Sequence, residues 1–227
     1  MKKQAHRTCI LGLGERSTQY YVSTLHKKYH DTFGDYHTFP FLLYQIDFNA
    51  INPFLPDQFD TLVPELTNII CTISDFKASQ YLIPNITLHE TVDKIKHQLN
   101  VVHPVQLTIK HCKTHNINKI ALFGSRYTMT SNYITNALTA VGINVVKPSE
   151  EDQLLIDDFR TKTYRNSETD SDFKVYNQLI KKHTKSYPIV TACTELSLHH
   201  ERLDNSNVID MALLQIETVL TQELNKS

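Results

Sequence analysis

The 227-residue chain has no C-x-x-C pair, no block of one charge, no long Gly/Ser/Pro linker and no apolar run of membrane-spanning length. Each absence excludes something. Four scattered cysteines, Cys9, Cys71, Cys112 and Cys193, argue against a disulfide framework and against structural zinc, and fit reduced thiols. Balanced charge, 23 basic against 24 acidic residues, gives no electrostatic argument for nucleic acid or an anionic membrane, so the expected partner is a small molecule. The apolar run Cys9-Ile-Leu-Gly-Leu13 is ended by Glu15 and Arg16 too early for a signal peptide or a membrane span, and the expectation is a soluble, cytoplasmic protein. Glycine is scarce, at five residues. Gly12-Leu-Gly-Glu-Arg-Ser17 has the first two glycines of a dinucleotide fingerprint but not the third, and no acidic residue closes a second strand where that fingerprint needs one.

What is present is a rhythm. Short apolar runs at 8–13, 41–46, 80–83, 119–123, 143–146, 188–191 and 207–209 alternate with helical periodicity at 18–29, 57–74, 87–99, 105–116, 127–141, 150–165, 171–184 and 211–224. Alternation of this kind predicts an α/β protein with parallel sheets. The length suits two lobes, residues 1–103 with 210–227 and residues 104–209, with a ligand cleft between them. The tail beyond Leu224 reads as frayed. Gly12, Gly14 and Gly124 fall at strand ends and mark the mouths of the sheets.

Cys193 follows an apolar strand and precedes Thr194 and Glu195 on the turn into a helix. Unpaired backbone N–H groups there are expected to favour thiolate, making Cys193 the candidate nucleophile or base. The segment Ile83-Pro-Asn-Ile-Thr-Leu-His89 is its counterpart, with Asn85 where a second thiol would stand. Ser17, Thr18, Thr87 and Thr194 suit helix caps and equally suit carboxylate binding. Arg126 is read either as a carboxylate partner or as a solvated surface residue. Cys9, Cys71 and Cys112 read as small buried hydrophobes, and Lys181-Lys-His183 and His199-His200 as surface runs.

Gly12-Leu-Gly-Glu-Arg-Ser-Thr-Gln-Tyr-Tyr21, Ile46-Asp-Phe48, Asn85-Ile-Thr-Leu-His89, Leu122-Phe-Gly-Ser-Arg-Tyr-Thr-Met129 and Ala192-Cys-Thr-Glu195 together resemble the aspartate/glutamate racemase family, in order and over nearly the whole chain. That resemblance implies two similar α/β lobes, no cofactor such as pyridoxal phosphate, a small carboxylate or amino-acid substrate, and a homodimer. It further implies one cysteine from each lobe facing the substrate's α-carbon from opposite sides, each acting as base or acid in turn. Substrate contacts are expected from Ser17, Thr18, Gln45, Asn85, Thr87, Ser125, Thr128 and Thr194, and side-chain specificity depends on which of Gln45, Asp47, Arg126 and Thr128 point into the cleft. The chain departs from the pattern at Asn85, since an amide is no Brønsted base, at Ala192 in place of the usual Gly, and at Gln106 and Gln215.

Three activities follow from this reading. One is racemisation with Cys193 and a weak partner near Asn85 or His89. Another is a one-face lyase or decarboxylase using the single thiol. The third is a carboxylate-binding protein without catalysis. Hydrogen exchange at the α-carbon, with or without inversion, separates them.

Overall fold

The computed structural model describes residues 8–203 and 207–224; the tail beyond Leu224, read as frayed, lies outside the described residues. Strand β1 (Thr8–Gly12) is buried along its whole length, as expected for the middle of a parallel sheet covered on both faces. It pairs in parallel with β2 (Leu42–Gln45) on one side and with β3 (Gln80–Leu82) on the other. Helix α1 (Glu15–Phe33) follows β1, and α2 (Phe59–Ser74) precedes β3. Leu62, Leu66, Ile69, Ile70 and Ile73 of α2 recur at helical spacing and are buried. Most of that stripe packs with Leu11, Leu13, Ile51 and Ile83. Each such side chain contributes about 1.5–3 kcal/mol by leaving water.

The second sheet has the order β5-β4-β6-β7, all parallel: β4 (Lys119–Phe123), β5 (Asn144–Val146), β6 (Ile189–Thr191) and β7 (Val208–Asp210). Its core joins Ala121, Phe123 and Ile189 to Ile156 and Phe159 of α7 (Glu150–Tyr164) and to Phe173, Tyr176 and Ile180 of α8 (Asp170–Thr184). Ser149 caps α7, and Thr169 with Asp172 forms a capping box on α8.

The chain forms two compact units, residues 1–103 with 215–227 and residues 104–214, and the second boundary falls inside α10 (Met211–Leu224). Within the first unit, buried Gln215 accepts from the Tyr21 hydroxyl and donates to Val102 O at 2.6 Å. Gln215, one of the four departures from the family pattern, thus ties α10 to α1 and to the end of the 1–103 segment. Among the described residues no helix is long and apolar enough to cross a membrane.

Four expectations are corrected. The helix predicted at 87–99 shrinks to α3 (His89–Val92), because Tyr81 N donates to Asn100 O and Val102 N to Tyr81 O, which draws residues 100–102 alongside β3. The helix predicted at 127–141 is two, α5 (Arg126–Thr130) and α6 (Tyr133–Thr139), broken where Ser131 turns extended at ψ 165. Cys71 is exposed on α2, whereas Cys9 and Cys112 are buried and burial pushes both thiols up, Cys9 to about 11. His183 and His199 are not surface residues: His183 Nε2 meets buried Asp152 at 2.8 Å, and His199 lies buried against Phe159 and Phe173.

Candidate active site

In the second unit the mouth of the sheet is built by two close approaches. A Cβ on Gly124 would meet Thr128 Cβ and Cγ2 at 2.9 Å and Ala192 O at 3.2 Å, so only glycine lets β4 run this near α5 and the end of β6. Ala192 N donates to Phe123 O at 2.7 Å, extending the β4–β6 pairing by one residue. Cys193 then stays extended, at φ −156 and ψ 127, and its carbonyl accepts from Leu196 N and Ser197 N of the short helix α9 (Thr194–Ser197). The thiol is thereby held at the C-terminal end of a buried strand, where parallel sheets place their ligands.

Cys193 Sγ donates to Glu195 Oε2 at 2.8 Å. The Arg160 guanidinium on α7 acts on both groups, its charge favouring the ionised sulfur. Arg160 is itself fixed by Asp157 Oδ1, at 3.0 Å from Nε and 2.9 Å from Nη2, and by Thr161 Oγ1 at 2.9 Å. The expected thiolate is not what this environment favours. Burial, and then the Glu195 carboxylate, push the Cys193 thiol well above its ordinary range despite Arg160. A helix of four residues supplies little field, and a carboxylate that accepts from the S–H stabilises the protonated form. Cys193 rests as a thiol with its proton directed at a carboxylate.

Beneath it, Asp210 at the end of β7 is buried and accepts from Thr191 Oγ1, Ser197 Oγ, Ala212 N and Leu213 N at 2.9–3.2 Å. His200 Nδ1 lies 3.7 Å from its Oδ2. Burial raises the Asp210 carboxyl, against the hydrogen bonds that favour its charge. One residue therefore links β6, α9 and α10 under the cysteine. Sequence reasoning missed it, although an Asp just before the apolar pattern Met-Ala-Leu-Leu is a helix-start signal. Arg160 had no such local signal.

Ser125 caps α5, its Oγ accepting from Thr128 N at 3.2 Å and lying 2.9 Å from Thr128 Oγ1. Thr128 and Thr194 are buried. Arg126 pairs with exposed Glu150 at 3.0 Å, which is the surface alternative of its two readings.

In the first unit Thr18 is buried and its Oγ1 accepts from Leu13 N at 2.9 Å, while Ser17 Oγ donates to Gly14 O at 3.0 Å. Gln45 Nε2 donates to Leu13 O and Ile46 O, each at 2.8 Å. This clamp needs Gly12, since a Cβ there would lie 2.2 Å from Gln45 Oε1. Thr18, Gln45, Asp47 and Glu15 line a groove of about 870 Å³ between α1 and β2.

Asn85 follows β3 and is half-buried; its Oδ1 accepts from Leu88 N at 2.9 Å, capping the turn that Thr87 and Leu88 make into α3. Its own carbonyl meets His89 Nδ1 at 2.9 Å. His89 is fully buried, with Nε2 lacking a hydrogen-bond partner and the ring edge-on to His103 at 4.9 Å. Burial, and then the charge of His103, hold His89 down to about 3, so it is neutral at ordinary pH. Its Nδ1 contact with the Asn85 carbonyl braces the Asn85 loop.

The sign of the resulting pH dependence follows. Between about 6.5 and about 3 the unfolded chain binds a proton at His89 that the folded chain refuses, so stability falls as pH drops through that window. The slope from this one group is about 1.4 kcal/mol per pH unit. His89→Gln is expected to make urea-unfolding free energy less steep between those two pH values; an unaltered slope would show that His89 titrates alike in both states.

A family profile described as Asp/Glu/Hydantoin racemase matches residues 10–219. Among curated proteins none matches. Among solved structures, a candidate Asp/Glu racemase from Yersinia pestis superposes with a TM-score of 0.79 at 23% identity, covering 96% of this chain and 99% of that one. An aspartate racemase homologue from Pyrococcus horikoshii gives 0.78 at 18% identity, covering 98% and 100%. The aspartate racemase of Picrophilus torridus gives 0.77 at 20%, covering 95% and 92%. These likenesses show a shared fold, and with a profile match over most of its length, the chain belongs to the Asp/Glu/Hydantoin racemase family.

Proposed function

We propose that the protein is a cofactor-independent isomerase that removes and returns the α-proton of a dicarboxylic amino acid, aspartate or glutamate, with Cys193 as its one thiol acid/base. The observation that carries this reading is the hydrogen bond from Cys193 Sγ to Glu195 Oε2 at 2.8 Å, beside Arg160. Such a thiol is a ready acid: it gives its proton to a carbanion, and Arg160 stabilises the sulfur anion left behind. For abstraction the thiol proton first passes to Glu195, the sulfur anion takes the α-proton, and Glu195 then releases its proton to solvent to restore the resting thiol–carboxylate pair. Charge developing on the substrate carboxylate needs fixed donors, and Thr194 with the backbone N–H groups at the start of α9 are the nearest such groups to the thiol in sequence.

A second reading is favoured by Asn85. Its amide has no ionisable proton and its oxygen is committed to Leu88 N, while His89 is held neutral. One-face chemistry, such as protonation of an enolate after decarboxylation, requires only Cys193. Incubation with each enantiomer of aspartate and glutamate in heavy water, followed by NMR and chiral chromatography, tests both readings. Exchange with inversion is the expected result. Exchange without inversion supports the one-face enzyme, as does carbon dioxide release from malonate-like acids. Binding without exchange would leave a carboxylate-binding protein.

A further inference from the structure

Capping α10 occupies only one oxygen of Asp210: Oδ1 accepts from Ala212 N at 2.9 Å and Leu213 N at 3.0 Å. Two further donors reach the same carboxylate from outside α10, Thr191 Oγ1 at 3.2 Å from Oδ2 and Ser197 Oγ at 2.9 Å from Oδ1. Thr191 stands two residues before Cys193 and Ser197 four residues after it. The β6–β7 register sets Asp210 opposite Thr191, and the Ser197 hydroxyl oxygen also lies 3.3 Å from the Cys193 carbonyl oxygen. Asp210, Thr191 and Ser197 are all buried, so each depends on the others for hydrogen bonds that water does not supply. The turn held in this way sets where the sulfur points. Cys193 is extended, and Glu195, whose Oε2 accepts from the thiol at 2.8 Å, comes two residues later in α9. A four-residue helix has little intrinsic strength with which to fix that bend.

We propose that Asp210 is a positioning residue for the acid/base: its carboxylate grips the Cys193 turn on both sides, at Thr191 and at Ser197, and so keeps the thiol aimed at Glu195. This assignment rests on the reading of Cys193 as the acid/base. Freeing both sides of the turn lets the sulfur leave Glu195 for solvent, which relieves the burial and the carboxylate that keep it protonated. Asparagine at position 210 preserves the grip. Its oxygen still accepts from Ala212 N, Leu213 N and Ser197 Oγ, and its NH2 group donates to Thr191 Oγ1, since a hydroxyl accepts as well as donates. Alanine removes every one of these bonds. Glu195 and Arg160 stay in place in all the variants.

Iodoacetamide alkylation of the substrate-free protein, followed against pH by mass spectrometry of the separate cysteine peptides, reads the surroundings of the thiol. Buried Cys112, in the same compact unit, reports any general opening, and exposed Cys71 calibrates the reagent. Asp210→Ala is expected to move the Cys193 profile downward by about one pH unit, an alkylation rate about tenfold higher at a given pH, with Cys112 still protected. Asp210→Asn should restore the parent profile; an alanine-like profile in that variant would show that the thiol feels the charge and not the grip, and counts against the proposal. An unmoved Cys193 profile in Asp210→Ala with Cys112 protected would overturn it and leave Asp210 as the cap of α10 alone. Should Cys112 open as well, Thr191→Val and Ser197→Ala decide, because both leave the cap on Ala212 N and Leu213 N intact. Each is expected to raise Cys193 alkylation about threefold, half a pH unit, and unchanged rates in both are again fatal. Because no substrate enters the assay, a moved profile in a protein that exchanges no α-proton would count against the proposed function and not against this assignment.

Discussion

Cys193→Ser is expected to lower α-proton exchange by about 10³-fold, within the 10²–10⁴-fold range that a positioned acid/base contributes. The hydroxyl is close to the thiol in shape and keeps a donor for Glu195, so the bond now 2.8 Å long has a replacement. The residue is half-buried at the end of β6, and the carbonyl that accepts from Leu196 N and Ser197 N belongs to the backbone and survives. Melting temperature should therefore stay near that of the parent. The loss is chemical: a serine hydroxyl does not ionise in the range where even a thiol raised by burial and Glu195 does. Heavy-water NMR on the variant beside a thermal melt separates the two effects. Full exchange in a folded serine variant removes Cys193 from the mechanism, and slow exchange with a collapsed melt assigns it to structure.

The strands were legible because buried parallel strands write themselves as short apolar runs: Lys119–Phe123 is found where the sequence places it. Helices that depend on distant contacts were not. Nothing local in 87–99 announces that residues 100–102 will pair beside Tyr81 and end the helix early. The break at Ser131 had a local signal in the polar run Thr130-Ser-Asn132, which helical periodicity on either side overrode. The site divides in the same way. The placement of Cys193 at a strand end came from sequence alone, but its protonation did not, because burial and Arg160, 33 residues earlier in the chain, set it jointly with Glu195. Arg126, adjacent to a conspicuous motif, pairs outward with Glu150, while Arg160, in an unremarkable helix, supplies the charge. Which arginine serves a thiol is a question of helix facing, and α7 faces α9 only once the sheet exists.

Asn85→Cys is the second large effect, and it runs in the direction of gain. Position 85 is where the resemblance places the missing acid/base, and the bond from the Asn85 carbonyl to His89 Nδ1 at 2.9 Å is a main-chain contact that the substitution keeps. What is lost is the side-chain cap on Leu88 N, at a cost of about 0.5–2 kcal/mol. A melting temperature lower by several degrees is thus part of the expected result. The freed Leu88 N–H then points at the new sulfur, and a thiolate there gains a donor, which favours ionisation at position 85 in a way that Glu195 denies to Cys193. Racemisation with inversion, measured by chiral chromatography on all four enantiomers, is expected to rise at least tenfold over the parent, on the order of what one added acid/base group supplies at the low end. If the folded variant shows no gain, the loop braced by His89 has diverged beyond the missing thiol, and the one-face reading of Cys193 becomes the stronger account. If inversion rises while Cys193→Ser abolishes it, both thiols act on the same carbon, and the departures at Ala192, Gln106 and Gln215 leave two-base chemistry intact.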